Sequence, residues 1–224
     1  MKKSKKPLIE AIKSGAAQQA ISLLNEHPSM AEEHTDEGIS LLLLAAYYRQ
    51  ADIVDTILRY REHLTVFEAA ACGHVKSLKE AVNKDPAVLN AHAEDGFTPL
   101  GLACFFGNEE ICSFLIEAGA DVNLAANNSF KVRPLHSAVA TKNIKIARLL
   151  LNQGAAVNAS QMAGITPLHS AAHNGQMPMV ELLLAHNADR SLKTNEGKSP
   201  ADLALEGGFD NISKYIEDFD DHKG

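Results

Sequence analysis

The sequence predicts an all-α protein in which short helix pairs stack into an α-solenoid. The first observation behind this prediction is composition: 46% of the 224 residues are hydrophobic and 22% are charged, as in ordinary globular domains. Only 5% are aromatic and Trp is absent. A core rich in Ala and Leu favours close-packed helices over a β-sandwich, which needs β-branched and aromatic residues.

The second observation is a unit that recurs along the chain. A short string centred on proline appears four times, and the prolines lie 35, 33 and 33 residues apart. These prolines are Pro99, Pro134, Pro167 and Pro200. The first three copies lead to a second shared string, such as Gly-Ala-Asp-Val-Asn at residues 119–123. A fixed period of about 20 to 50 residues is the signature of a repeat protein.

Each unit predicts two helices. Thr or Ser before Pro marks a helix start, because the hydroxyl caps free amide groups and Pro is tolerated in the first turn. The Ala-rich first helix should end at a glycine with positive φ, where the chain reverses. The glycines in this place are Gly15, Gly73, Gly107, Gly175 and Gly207. The second helix carries apolar residues at helical spacing, and because no unit alone buries its apolar face, the units must stack.

The repeated strings resemble ankyrin repeats. The resemblance rests on Gly-Phe-Thr-Pro-Leu at 96–100, Gly-Ile-Thr-Pro-Leu-His-Ser-Ala-Ala at 164–172 and Gly-Ala-Asp-Val-Asn at 119–123. It implies antiparallel helix pairs joined by β-hairpin loops, called fingers below. It also implies a curved stack whose concave side binds protein partners.

Carrying the repeat register back to the N-terminus predicts about seven units, one of them shortened. The expected boundaries are 7–35, 36–60, 61–93, 94–127, 128–160, 161–193 and 194–216. Together they make one ankyrin repeat domain at 7–216. Residues 1–6, with four lysines, are expected to form a flexible basic tail, and residues 217–224 an acidic C-terminal tail.

Two departures from the pattern predict irregular geometry. The step from Leu41 to Thr65 is 24 residues, about ten short of the family period, which predicts a missing finger near residues 59–63. Lys131 and Lys142 stand where other units have Gly, which predicts an irregular loop in the unit that begins near Asn128.

Residue chemistry favours packing over catalysis. His169 and His173 have the i, i+4 spacing of a zinc protease helix, but Ser170 replaces the required Glu. The family resemblance instead implies that His136 and His169 make structural hydrogen bonds between adjacent loops. Cys104 and Cys112 are interpreted as core residues. No nucleotide-binding loop or nucleophile elbow is present, so we expect no catalytic, cofactor or metal site.

The positions that the repeat leaves free are the candidates for partner binding. They lie at the finger tips and just before the glycine that ends each first helix. The partner-binding hypothesis uses Tyr47, Tyr48, Phe97, Phe105, Phe106, Phe130, Val132, Ile165 and His173. Aromatic residues often dominate affinity at interfaces. The alternative is that these aromatic side chains only thicken the core.

The function predicted from these observations is non-catalytic binding of a protein partner through the concave face, as a scaffold. Two alternatives stay open: a dedicated accessory or inhibitor of one enzyme or toxin, and a binder of small molecules or nucleic acid. The net charge of −7 disfavours sequence-independent binding to the phosphates of nucleic acid. Three cysteines and the absence of a signal-peptide pattern predict a cytoplasmic protein, and apolar runs far below about 20 residues predict no membrane span. A monomer is expected.

Overall fold

A computed structural model describes residues 4–219 of the chain, and these residues form fourteen α-helices. Consecutive helices pack as pairs joined by short turns. The first helices of the pairs are α1 (Lys6–Ser14), α3 (Leu41–Tyr47), α5 (Val66–Cys72), α7 (Pro99–Phe106), α9 (Pro134–Ala140), α11 (Pro167–His173) and α13 (Pro200–Glu206). The second helices are α2 (Ala17–Glu26), α4 (Ala51–Tyr60), α6 (Val75–Lys84), α8 (Glu109–Glu117), α10 (Ile144–Asn152), α12 (Met177–Ala185) and α14 (Asp210–Glu217).

The connections between pairs carry little regular structure. Three short 3-10 helices occur in them, at Pro28–Glu32, Pro86–Asn90 and Met162–Gly164. Within residues 4–219 the only β pairing is an isolated antiparallel bridge between His34 and Ser40. The predicted all-α solenoid is confirmed, and its fingers are tight turns instead of two-stranded hairpins.

The four repeated prolines occupy equivalent places. Each is the first residue of a first helix, and each is buried. The hydroxyl before the proline caps three of these helices, since Thr98 Oγ1, for example, accepts a hydrogen bond from the Gly101 amide at 3.0 Å, whereas Arg133 before Pro134 makes no side-chain cap. The helix starts predicted from Thr-Pro and Ser-Pro are therefore present.

The turn after each first helix contains a residue with positive φ. Gly15, Gly73, Gly107 and Gly175 have φ between 67° and 77°, as predicted. The prediction for Gly207 is wrong by one residue, because its φ is −75° and Gly208 takes the left-handed conformation at φ 80°. Gly207 serves packing instead, since a Cβ there would lie 2.4 Å from the His173 carbonyl oxygen.

The two lysines that replace glycine behave differently from one another. Lys142 has φ 58°, so the turn after α9 keeps the geometry of the glycine turns and is not irregular. Lys131 also has a positive φ, 52°, but it lies in an enlarged finger. In that finger the Ala126 amide bonds to the carbonyl six residues ahead, on Val132, whereas the fingers at 35–39, 93–97 and 161–165 close after four residues. The predicted irregular loop is present at this finger only.

The finger near residues 59–63 is absent, as predicted, because only residues 61–65 separate α4 from α5. The apolar core is divided at this place into two clusters, one from Leu8 to Ile57 and one from Val66 to Ile216. We call these the N-terminal and C-terminal clusters. The half-buried side chain of Leu64 packs against both of them.

Stacking is reinforced by asparagine side chains that bridge neighbouring pairs. Asn123 accepts from the Ala156 amide at 2.7 Å and donates to the Gly154 carbonyl at 3.1 Å. Asn158 makes the same pair of bonds to Asp189 and Asn187. From α3 onwards the first helices contact one another more extensively than the second helices do. The first helices are therefore packed more closely along the stack than the second helices.

Candidate functional site

Three of the predicted partner-binding residues form an aromatic cluster, defined here as Tyr47, Phe105 and Phe106. Tyr47 ends α3, and the two phenylalanines end α7. The ring centroids of Phe105 and Phe106 lie 5.2 Å apart in a T-shaped contact, and that of Tyr47 lies 6.1 Å and 5.5 Å from them. All three side chains are half-buried. They pack against one another and still present part of their surface to solvent.

The hydroxyl of Tyr47 is fixed by a short hydrogen bond. It donates to Asp95 Oδ2 at 2.6 Å, and the other oxygen of Asp95 accepts from the Phe97 amide at 3.0 Å. Burial, and then the hydrogen bond and the negative charge of Asp95, raise the pKa of Tyr47 well above its usual value. The phenol therefore stays a neutral hydrogen-bond donor across the physiological range.

The cluster forms one wall of a groove, called the aromatic groove, with a volume of about 500 Å³. Four helix pairs contribute to it: Tyr47 from the second, Cys72 from the third, Phe105 from the fourth and Thr141 from the fifth. This volume lies within the range of roughly 300–1,000 Å³ that is usual for ligand-binding clefts. The groove follows the ends of the first helices across the stack.

The other predicted residues are placed outside the cluster. Tyr48, Phe130 and His173 are exposed, with 43% of Tyr48 and 52% of Phe130 accessible. Phe97, Val132 and Ile165 are half-buried on the fingers. Ring contacts in residues 4–219 join Tyr47 to Phe105 and Phe106 and do not extend to Phe97 or Phe130. The role of these six residues in binding stays a prediction.

The predicted hydrogen bond to the adjacent finger is present for His169 but not for His136. His169 is buried; its Nδ1 lies 2.8 Å from Thr166 Oγ1, and its Nε2 lies 3.1 Å from the Lys198 carbonyl in the next finger. His136 is also buried, but its Nε2 has no partner of hydrogen-bond geometry among the described residues. Burial lowers the pKa of both rings, that of His136 to about 4, so both stay neutral.

The cysteines show no sign of an activated thiolate. Cys104 and Cys112 are fully buried, as predicted, and their sulfur atoms lie 3.7 Å apart without a disulfide. Burial raises the pKa of Cys104 well above its usual value. Burial, helped by the charge of Glu68, raises the pKa of Cys72 to about 12. The thiols of Cys72 and Cys104 are therefore protonated at neutral pH.

The sequence did not predict one buried polar cluster, which is centred on Arg61 and Glu68. Arg61, in the connection that lacks a finger, is almost fully buried and pairs with Glu68 Oε2 at 2.8 Å. The same guanidinium donates to the Ala31 carbonyl at 3.1 Å and lies 3.2 Å from Glu32. Glu68 also completes a capping box with Thr65 at the start of α5. The only hint in the sequence was the Arg59-Tyr60-Arg61 string in a segment too short for a finger.

Metal centres and membrane-spanning helices are two other classes of site. In the part of the chain that the structure describes, no group of three or more His, Cys, Asp or Glu side chains is arranged to hold a metal ion. Among the helices of residues 4–219, none combines the length and the apolar character needed to cross a bilayer.

Comparison with known proteins identifies the family. Sequence patterns described as "Ankyrin repeats (3 copies)" and "Ankyrin repeats (many copies)" match residues 66–161 and 150–204. The two segments together cover more than half of the chain. The chain therefore belongs to the ankyrin repeat family, whose repeats are in general protein–protein interaction modules and are typically non-catalytic.

Similar curated proteins are much longer than this chain. The ankyrin repeat and KH domain-containing protein mask of Drosophila melanogaster is 34% identical over 105 residues, 46% of this chain and 3% of that protein. The BCL-6 corepressor-like protein 1 of Homo sapiens is 34% identical over 98 residues, 44% of this chain and 5% of that protein. The tyrosine-protein kinase Shark of Drosophila melanogaster is 31% identical over 157 residues, 69% of this chain and 15% of that protein. The matched part is thus a small share of each relative.

Proposed function

We propose that this chain binds a protein partner, without catalysing a reaction, on the concave side that carries the first helices and the fingers. The observation that carries the proposal is the aromatic cluster at the wall of the aromatic groove. Half-buried aromatic rings that are already packed lose little conformational freedom when a partner covers them. Rings of this kind are often the residues that dominate interface affinity.

The groove also has the composition expected of an interface centre. Apolar and aromatic side chains make up most of its lining, and its polar groups are Arg49, Gln50, Asp55, Thr141 and Asn143. Such a mixture suits a partner segment that inserts one or two apolar side chains into the groove and forms hydrogen bonds with the polar groups around them. The remaining predicted residues, from Phe97 to His173, would extend the contact along the stack.

The test compares two phenylalanines that are matched in burial. Phe105 lies in the cluster, whereas Phe114 is half-buried on α8, where Lys79 Nζ lies 5.4 Å from its ring centroid. Proteins captured from the native lysate by the wild-type chain should be lost with Phe105→Ala and retained with Phe114→Ala. Melting temperatures of both variants check that loss of capture is not loss of folding.

The outcome also separates the alternatives. One stoichiometric captured protein favours a dedicated accessory or inhibitor, and several substoichiometric ones favour a scaffold. If Phe105→Ala captures the same proteins as the wild type, the aromatic cluster is not the binding surface.

A further inference from the structure

The missing finger leaves a cavity between the fingers that flank it. Because the second and third pairs are joined by residues 61–65 alone, the fingers at 34–40 and 92–97 become neighbours. The side chain of Glu94 approaches to 3.1 Å from the place where a Cβ on Gly38 would stand. Beneath these fingers lies a cavity of about 330 Å³, called the acidic pocket, which Leu43 and Phe67 line together with three carboxylates.

Three carboxylates and two histidines, His34 and His92, line this pocket. The carboxylates are those of Glu68, Glu94 and Asp95, and no lysine or arginine of residues 4–219 lines the pocket. Arg61 balances Glu68, so the excess negative charge comes from Glu94 and Asp95. The field in the pocket therefore favours a cation over an anion or a neutral group.

One carboxylate oxygen at the pocket also lacks a donor. Glu68 is 1% exposed; its Oε2 accepts from Arg61 and from both the amide and hydroxyl of Thr65, whereas its Oε1 has no hydrogen-bond partner among residues 4–219. A buried acceptor without a donor is unusual and costs stability. Because Oε1 itself is enclosed, an N–H donor of a ligand reaches it only when the side chains around Glu68 shift on binding.

The shape of the lining favours a guanidinium over an ammonium. A guanidinium presents several N–H donors in one plane and stacks on aromatic faces, which suits a site with Phe67 beside several carboxylates. The apolar side chains of Ile39 and Leu43 can cover the aliphatic stem of an arginine. A compact ammonium would use fewer of these contacts.

We propose that the acidic pocket receives an arginine side chain of the protein partner. The inference rests on the proposed function and adds the chemistry of the partner to it. The hydrogen bond from Tyr47 to Asp95 connects the two surfaces, since Tyr47 lines the aromatic groove and Asp95 lines the acidic pocket. A segment that places an apolar residue in the groove and an arginine in the pocket fits both.

The experiment uses N-acetylarginine N-methylamide as the probe and needs no partner. It is titrated into the ¹⁵N-labelled full chain at constant ionic strength, and amide chemical shifts are recorded. We expect saturable shifts at Gly38, Thr65, Phe67 and Glu94. The neutral isostere N-acetylcitrulline N-methylamide should give none. Equal shifts with the two probes, or shifts that rise linearly over the whole acidic surface, would overturn the proposal, and equal affinity for the lysine analogue would overturn the guanidinium assignment.

Two variants test whether the probe binds at the carboxylates of the pocket. Glu94→Gln removes an exposed carboxylate of the pocket and should weaken probe binding about tenfold, the effect of losing one charge-assisted hydrogen bond. Glu110→Gln, an exposed glutamate on α8, is the matched control and should bind like the wild type. Wild-type affinity in Glu94→Gln would contradict the assignment.

Phe105→Ala separates this inference from the proposed function. It should bind the probe normally, because Phe105 does not line the acidic pocket. If the probe fails to bind the wild type while Phe105→Ala still abolishes partner capture, the arginine pocket is wrong and the protein-binding function stands.

Discussion

The two ends of the solenoid are held together differently. The C-terminal cluster runs without interruption from Val66 to Ile216, over five helix pairs, four of which begin at a proline and all of which have a left-handed turn after the first helix. The N-terminal cluster, from Leu8 to Ile57, involves only two pairs. Repeat proteins gain stability from each interface between neighbours, so the shorter stack should be the weaker one.

The junction between these regions explains why both candidate binding surfaces lie there. Without a finger, the connection relies on the buried Arg61–Glu68 pair and on Tyr47, which reaches from α3 to the rings of α7. The short connection also places Glu94 of one finger beside Gly38 of the other, and both line the acidic pocket. The one irregular connection of the array is therefore also where the buried ion pair and both proposed binding surfaces lie.

The largest effect is expected from breaking the ion pair at the junction. Arg61→Ala leaves Glu68 buried without its counter-charge, which typically costs about 3–5 kcal/mol. We expect urea unfolding to become biphasic, with the N-terminal region lost first. The control is Lys145→Ala, which breaks an exposed pair with Glu109 and should cost under about 0.5 kcal/mol. Equal effects of the two substitutions would show that the junction does not depend on Arg61.

The next effect tests the C-terminal region through pH. Because the folded pKa of His136 lies near 4 and the unfolded value near 6.5, the unfolded state binds more protons between these values. Stability should be full above about pH 6.5 and fall by roughly 2–3 kcal/mol as the pH drops to 4. His136→Gln should flatten this dependence relative to the wild type. Urea unfolding at pH 7 and 4.5 measures it, and an unchanged slope in the variant would refute the buried neutral ring.

A smaller effect is expected from the hydroxyl that links the two regions. Tyr47→Phe removes the hydrogen bond to Asp95 and should cost about 1 kcal/mol. Tyr60→Phe is the matched control, because its hydroxyl bonds to Asn25 at 2.9 Å at an exposed site. Chemical denaturation of both variants should show a loss for the first and almost none for the second. A comparable loss in both would remove Tyr47 from the account of the junction.

The smallest effect concerns the turns of the regular region. Lys142 has a left-handed conformation, which costs a non-glycine residue about 1–2 kcal/mol. Glycine avoids this cost, but it also raises the conformational entropy of the unfolded chain, which offsets part of the gain. Lys142→Gly should therefore stabilise the chain by up to about 1 kcal/mol. The reciprocal change Gly107→Ala should destabilise it, although an added Cβ meets only Asn143 Nδ2 at 3.7 Å. Melting temperatures that move in the other directions would show that the two turns are not equivalent.

The parts that the sequence predicted correctly are those that depend on neighbours in the chain. Thr98 before Pro99, the glycine turns and the missing finger all follow from local rules of capping, backbone conformation and period. Even the wrong prediction at Gly207 was a slip of one residue between adjacent glycines. Local signals therefore suffice for the architecture.

The site depends on contacts that no local rule provides. Tyr47 and Asp95 are 48 residues apart, and the partners of Arg61 lie both before and after it in the chain. The choice between core and interface for Phe105 and Phe106 also depends on how closely α3, α5 and α7 pack. The sequence could mark these rings as candidates, but it could not show that they are half-buried in one cluster with Tyr47.

Hydrogen exchange tests most directly whether the missing finger divides the stack into a weaker and a stronger region. The wild-type chain is followed by mass spectrometry in low concentrations of urea, with peptides from α2 and α4 compared with peptides from α8, α10 and α12. Peptides from the first two helices should exchange at a lower free energy of opening, as a cooperative unit of their own. Equal protection of all five helices, lost together at one urea concentration, would contradict this division.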